Sequence, residues 1–125
     1  MQSQETLGIL QSISGYRLGR ARFVGITHYE QGDFLGPHAD RSGADGAKAI
    51  AFSYCLAAPS YSEGHDDGAL IYRRDHPEPD LALRPTAGSF IIFDVPRMGV
   101  HYVAPILRKS EARISLVGFY YFAED

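Results

Sequence analysis

Beyond about residue 20 the chain falls into short runs of β-branched and aromatic residues separated by clusters of Gly, Pro, Asp and Ser. This is the punctuation of strands and turns. The pattern predicts eight strands, near residues 22–29, 34–38, 49–57, 69–73, 81–84, 89–95, 100–104 and 112–122. Residues 50–56 and 90–93 are nearly continuous apolar runs, as expected of strands covered on both faces. The last strand differs. Its period of two puts Arg113, Ser115, Val117 and Phe119 on one face and Ile114, Leu116 and Tyr120 on the other, so an Arg and a Ser share a face of an otherwise apolar strand. Ahead of the strands only residues 6–13 suggest a helix, with Leu7, Leu10 and Ile13 on one side and Gly8 weakening it. Eight short strands with Gly- and Pro-bearing turns suit a two-sheet jelly roll or a closed barrel, and periodicity does not choose between them.

Composition narrows the class. A chain of 125 residues allows one domain, and 45% hydrophobic with 22% charged residues is ordinary globular usage, which excludes wholesale disorder. The formal charge of −3 argues against a nucleic-acid partner held through phosphates. Ten of the twelve basic residues are Arg, the better side chain for gripping carboxylates. A single cysteine, Cys55, excludes an internal disulfide framework and fits a reducing compartment. With no long apolar run and no signal-like start, the expectation is a cytoplasmic protein without a membrane partner.

Candidate chemistry centres on the histidines. His38 and Asp40 have the His-x-carboxylate spacing that lets an extended segment offer two ligands to one metal, although so short a pair arises easily by chance. His101 falls on the penultimate strand and Arg113 with Ser115 on the last. If these two strands are antiparallel neighbours joined by a short turn, the His and the Arg face one cavity. Two His and one carboxylate leave open positions on iron, as a non-haem Fe(II) oxygenase needs; a structural zinc site would be closed by four ligands, often Cys. The same residues also read as unrelated polar groups at strand ends, and spacing alone does not decide.

Six ordered segments resemble one family. Tyr29-Glu-Gln-Gly32-Asp-Phe34-Leu-Gly-Pro-His38-Ala-Asp40 is similar to the Tyr-x-x-Gly-x-Phe-x-x-His-x-Asp motif of prolyl-4-hydroxylase-like Fe(II)/2-oxoglutarate dioxygenases. Residues 49–56 resemble the strand after the metal loop, and Asp67-Gly68-Ala-Leu70 the Gly-Gly-x-Leu segment. Residues 85–93 resemble the Pro-x-x-Gly-x-x-x-x-Phe strand, His101-Tyr-Val103-Ala-Pro105-Ile106 the distal His motif, and Arg113-Ile-Ser115 closes the set. The resemblance covers about residue 22 to the end. It implies an all-β fold, a double-stranded β-helix (jelly-roll, cupin-like) barrel of eight strands with little N-terminal helix. The barrel core would span residues 22–122 of one domain over 1–125, with 1–21 as an N-terminal extension.

The resemblance also implies roles. His38, Asp40 and His101 would be the metal ligands and the catalytic residues. Arg113 would form a bidentate pair with the distal carboxylate of 2-oxoglutarate, helped by Ser115 and by the Tyr29 hydroxyl. Arg at position 113 resembles the bacterial branch; many animal prolyl hydroxylases carry Lys there. The implied cofactors and co-substrates are Fe(II), 2-oxoglutarate and O2, with ascorbate as an auxiliary reductant. The implied reaction hydroxylates an unactivated C–H of an amino acid, peptidyl residue or small metabolite, releasing succinate and CO2. Asp40 favours hydroxylation, because related halogenases have a small residue there. Two alternatives are a non-catalytic metal- or ligand-binding module on the same barrel and a cupin-like metalloenzyme that does not use 2-oxoglutarate.

Other polar residues read as structural. His28 should face away from Tyr29. His65-Asp66-Asp67 reads as a solvated turn, His76 as exposed in a Pro-restricted turn, and Cys55 as a buried small hydrophobe. Arg73 and Arg74 read as a solvated pair, and residues 119–122 as packing aromatics. Substrate selectivity is expected in the loops 41–47, 59–67 and 74–80. Because so little chain precedes the first strand, the outer face of one sheet is expected to be covered by residues 1–20, by a partner subunit in a homodimer, or by residues outside the given sequence, and to be an exposed apolar face in a monomer.

Overall fold

In the computed structural model, residues 3–40, 48–61, 65–75, 77–97, 99–109 and 112–124 are described. The loop 41–47, residues 62–64 and His76 therefore lie outside the described residues. One helix, α1 (Gln4–Ser14), precedes eight strands: β1 (Leu18–Tyr29), β2 (Leu35–His38), β3 (Lys48–Ala57), β4 (Leu70–Tyr72), β5 (Leu81–Leu83), β6 (Phe90–Asp94), β7 (His101–Val103) and β8 (Arg113–Phe122). All eight predicted strands are present, and β1 begins four residues earlier than the alternation suggested.

The strands form two antiparallel four-stranded sheets, ordered β1-β8-β3-β6 and β2-β7-β4-β5. This mostly β arrangement is that of a double-stranded β-helix. Pro37 is tolerated in β2 because β2 is an edge strand, where a missing N–H costs no ladder bond. One expectation fails. His101 and Arg113 are not on adjacent paired strands: β7 lies between β2 and β4, whereas β8 lies between β1 and β3 in the other sheet. The chain after β7 crosses from one sheet to the other, so the two residues line one cavity from opposite walls.

Helix α1 is set by its caps and its apolar side. The Thr6 amide donates to the Ser3 side chain, and Gly15 ends the helix in the left-handed region, its amide donating to Gln11 O. Leu7 and Leu10 pack on the outer face of the first sheet, against a cluster that includes Ile50, Phe52 and Tyr120. Ile13, expected on the same side, is instead 66% exposed. Positions 7, 10 and 13 each advance 300° on a 3.6-residue helix, so the third drifts off the buried stripe. The helix is fastened by Leu18 N–H donating to Gln11 Oε1 and by Tyr16 O–H donating to Asp94 Oδ1 at 2.8 Å. It covers only part of that face, and Val24, Ile26 and Phe90 remain exposed. No helix among the described residues is long and apolar enough to cross a membrane.

Candidate metal and anion site

His38 and His101 are cross-strand partners on β2 and β7. Their ring centroids lie 4.4 Å apart, and Asp40 follows just beyond β2. The His38 Nε2 lies 3.6 Å from Asp40 Oδ1, and the His101 Nε2 lies 3.3 Å from Asp40 Oδ2. One ligand atom from each of the three falls within 4.8 Å of the others, the spacing of donors around one small ion. Each imidazole is oriented from behind: His38 Nδ1 meets Gly36 O at 2.8 Å and His101 Nδ1 meets Gly99 O at 3.3 Å. A carbonyl only accepts, so both Nδ1 atoms carry a proton and both Nε2 atoms are directed at the common centre. Phe93 stacks on the His101 ring, interplanar angle 13°, and holds its plane. Burial pushes the Asp40 carboxyl upward, but the His101 hydrogen bond and the charges of His101, His38 and Lys48 bring it below its ordinary value. His101 is the converse: burial lowers it, while Asp40 and the Gly99 carbonyl raise it overall.

The opposite wall carries an unbalanced positive charge. Arg113 is 4% exposed, its Nε has no hydrogen-bond partner, and no carboxylate pairs with it among the described residues. Its neighbours are neutral. Burial raises the Cys55 thiol, and burial pushes the Tyr61 phenol up to about 12 against the opposing charge of Arg113. The Tyr29 ring lies 5.4 Å from the guanidinium and directly opposite it in register. Ser115, fully buried on the same face, also has an unpartnered Oγ. Thr27 and Cys55 sit opposite Ser115 on the flanking strands. A buried guanidinium with no carboxylate beside it among the described residues suits an acidic ligand. Ser115, a further hydroxyl donor, lies two residues on along the same face of β8. The fit to a small dicarboxylate spanning toward the triad is good, because Arg113, Tyr29, His38, Asp40 and His101 line one cavity.

Asp67 proves different from a solvated turn residue. It is 4% exposed, and its Oδ2 accepts from the amides of Leu107 at 2.9 Å and Arg108 at 3.0 Å, tying down the segment that leads into β8. Gly68 follows with φ +68 and lies so close to the Arg113 stem that an added Cβ would sit 3.3 Å from Cδ. Gly68 thus backs the aliphatic stem of Arg113. The remaining assignments fare simply. His28 faces outward beside Glu30, Cys55 is buried, Arg74 pairs with Glu78, and Arg73 is exposed. Sequence reading overlooked Thr27, which alternation from Tyr29 places on the cavity face, and Phe23, which no local signal places there.

Comparisons with known proteins speak to the fold and the family. No curated protein matches the chain. Among solved structures it is similar to a Pseudomonas putida prolyl-4-hydroxylase, with 24% identity and a TM-score of 0.74, covering 96% of this chain and 62% of that one. It is similar also to a 2OG-Fe(II) oxygenase family oxidoreductase from Burkholderia pseudomallei (19% identity, TM-score 0.75, covering 95% and 53%). A third is a Trichoplax adhaerens prolyl hydroxylase in complex with a hypoxia inducible factor peptide (18% identity, TM-score 0.68, covering 86% and 46%). The chain therefore spans less than two thirds of these relatives' lengths, and such likenesses speak for the fold. The sequence itself matches the 2OG-Fe(II) oxygenase superfamily over residues 24–121, most of the chain, so the chain belongs to that superfamily.

Proposed function

We propose that the protein is an Fe(II)- and 2-oxoglutarate-dependent dioxygenase that hydroxylates an unactivated C–H of an amino acid, peptidyl residue or small metabolite. The observation that carries this reading is the buried Arg113, which has no carboxylate partner among the described residues while lining the same cavity as His38, Asp40 and His101. A binding module without catalysis has no need of an anion anchor facing a three-ligand cluster. A metalloenzyme that does not use 2-oxoglutarate has no need of Arg113.

In this reading His38, Asp40 and His101 hold the iron, each imidazole through Nε2. Arg113 engages the distal carboxylate of 2-oxoglutarate through its planar fork, and Ser115 Oγ and the Tyr29 hydroxyl add donors. Iron and 2-oxoglutarate together supply the oxidising chemistry, consuming O2 and releasing succinate and CO2. The chain's contribution is to bind, orient and exclude water. Neutral Cys55 and Tyr61 leave the guanidinium charge to the ligand, and the apolar walls keep that pair dry. Asp40 fills a coordination position with carboxylate, which favours hydroxylation over transfer of a halide.

The test is anaerobic addition of Fe(II) and 2-oxoglutarate, followed by oxygen with ascorbate present. A visible charge-transfer band and subsequent succinate are expected for the wild type, and both are lost in Arg113→Ala and Asp40→Ala. Absence of the band in the wild type, or an undiminished band in Arg113→Ala, overturns the assignment.

A further inference from the structure

Strand β1 breaks register beside the cavity. Arg22 is opposite Phe119 and Gly25 opposite Val117, so Phe23 and Val24 together face the single Gly118. This is a β-bulge, and it holds Phe23 at φ 54, a left-handed conformation that a bulky aromatic rarely adopts. The Phe23 ring is 69% exposed, lines the cavity of His38, Asp40 and His101, and lies 6.3 Å from the ring of Tyr121.

Two cations stand at this end of the sheet. Residues directly opposite in register point to the same side, and Phe119 lines the cavity, so Arg22 shares the cavity face. Tyr121 is two residues on along β8, and Lys48 is its partner on β3. The Arg22 guanidinium carbon lies 5.0 Å from the centre of the Tyr121 ring, and Lys48 Nζ lies 4.2 Å from the centre of the Phe119 ring. An aromatic face positions a cation without cancelling its charge, and a stacked guanidinium keeps its N–H edge for an oxyanion. Arg22 makes no ion pair among the described residues. The ring beneath it belongs to a residue that is 7% exposed and whose hydroxyl has no hydrogen-bond partner.

Charge at this end is not offset from within the sheet. The strands β1, β3, β6 and β8 carry one acidic residue, Asp94, which is opposite Ile50 and accepts from Tyr16 on the α1 side. The charge of Lys48 helps to hold the Asp40 carboxyl below its ordinary value, so this cation acts within reach of the metal cluster. Arg113 is remote from the pair, because the eight positions from Arg113 to Tyr121 span about 27 Å of extended strand.

We propose that Arg22 and Lys48 form a subsite for an anionic oxygen group of the substrate, a carboxylate or a phosphate, held at the cavity mouth while another part of the same molecule reaches the metal cluster. This rests on the dioxygenase reading above and adds to it the charge class of the substrate. Like charges on one face repel, and an anion between them removes that cost. Phe23 carries the cavity wall out to Tyr121 and so joins the subsite to the metal-bearing cavity.

The test is ligand-observed NMR titration of the full chain loaded with redox-inert Zn(II) and stoichiometric 2-oxoglutarate, which occupies Arg113 so that probes are not read there. The probes are N-acetyl-aspartic acid amide, N-acetyl-phosphoserine amide, N-acetyl-leucinamide and N-acetyl-lysinamide. An acidic probe is expected to bind the wild type more tightly than the leucine probe, with the lysine probe weakest, and the tighter of the two acidic probes identifies the anion. Arg22→Gln and Lys48→Gln should each weaken it about fivefold, the share of one partly exposed ion pair, and leave the leucine probe unchanged. Arg22→Glu should raise binding of the lysine probe above that of the acidic ones. Thermal unfolding unchanged from the wild type shows that each effect is local. Acidic probes that bind no better than the leucine probe, or that bind either glutamine variant as tightly as the wild type, overturn the inference. Binding is read without turnover, so a wild type that forms no charge-transfer band with Fe(II) and 2-oxoglutarate speaks against the dioxygenase reading and is told apart from failure here.

Discussion

His38 and His101 face each other across β2 and β7 as register partners, each held at Nδ1 by a backbone carbonyl of its own strand end. Pairing in register, rather than proximity in sequence, is what brings two imidazoles separated by more than sixty positions to one centre. Backing carbonyls preset the rings, so little reorganisation precedes metal binding.

Metal should therefore stabilise the fold in a concentration-dependent way. A ligand that binds only the native state contributes RT ln(1 + [L]/Kd), about 2.7 kcal/mol at a hundredfold excess over Kd. Thermal unfolding with added Zn(II) or Co(II) is expected to shift upward in the wild type and to return on addition of EDTA. His101→Ala should lose the response; a retained shift would place the metal elsewhere.

Arg113 gives an opposite pair of effects. Replacing a buried, unpaired charge by an apolar chain of similar length is neutral or stabilising. Arg113→Met is expected to leave the melting temperature of the ligand-free protein unchanged or higher, while abolishing stabilisation by 2-oxoglutarate. Arg113→Lys should keep only part of it, since an ammonium cannot make the forked contact. Differential scanning fluorimetry with and without 2-oxoglutarate reads both effects.

Asp67 should matter more than a turn residue does. Its carboxylate accepts two backbone amides in a buried setting, and loss of such a charge-assisted bond costs about 1.5–3 kcal/mol. Asp67→Ala is expected to fall in that range or above by urea denaturation, with Asp67→Asn milder. A change within about 0.5 kcal/mol would mean that the segment before β8 is held by other contacts.

Gly118 should not accept a side chain. An added Cβ would meet Phe52 Cζ at 2.8 Å and Val24 Cγ2 at 3.1 Å, and overpacking of this kind costs about 1–3 kcal/mol. Gly118→Ala is expected to lower the denaturation midpoint accordingly.

The outer face left open by α1 exposes Val24, Ile26 and Phe90. We expect self-association or binding of an apolar dye at this patch. Light scattering that gives a monodisperse monomer, with no dye fluorescence, would count against it.

The sequence by itself determined the strands, the ordered motifs and the sharing of one face by Arg113 and Ser115. These depend on local alternation and turn residues, which physics writes into neighbouring positions. Tertiary structure decided the rest. Sheet membership is a non-local choice, so β7 and β8, close in sequence, went to opposite walls. Phe23 reached the cavity through a break in the β1 register, which sets residues 23 and 24 against the single Gly118 and which no local pattern announces. The burial of Asp67 followed from amides forty positions away, and no pattern within its own turn announces them. Alternation assigns side chains to faces; only pairing decides what those faces meet.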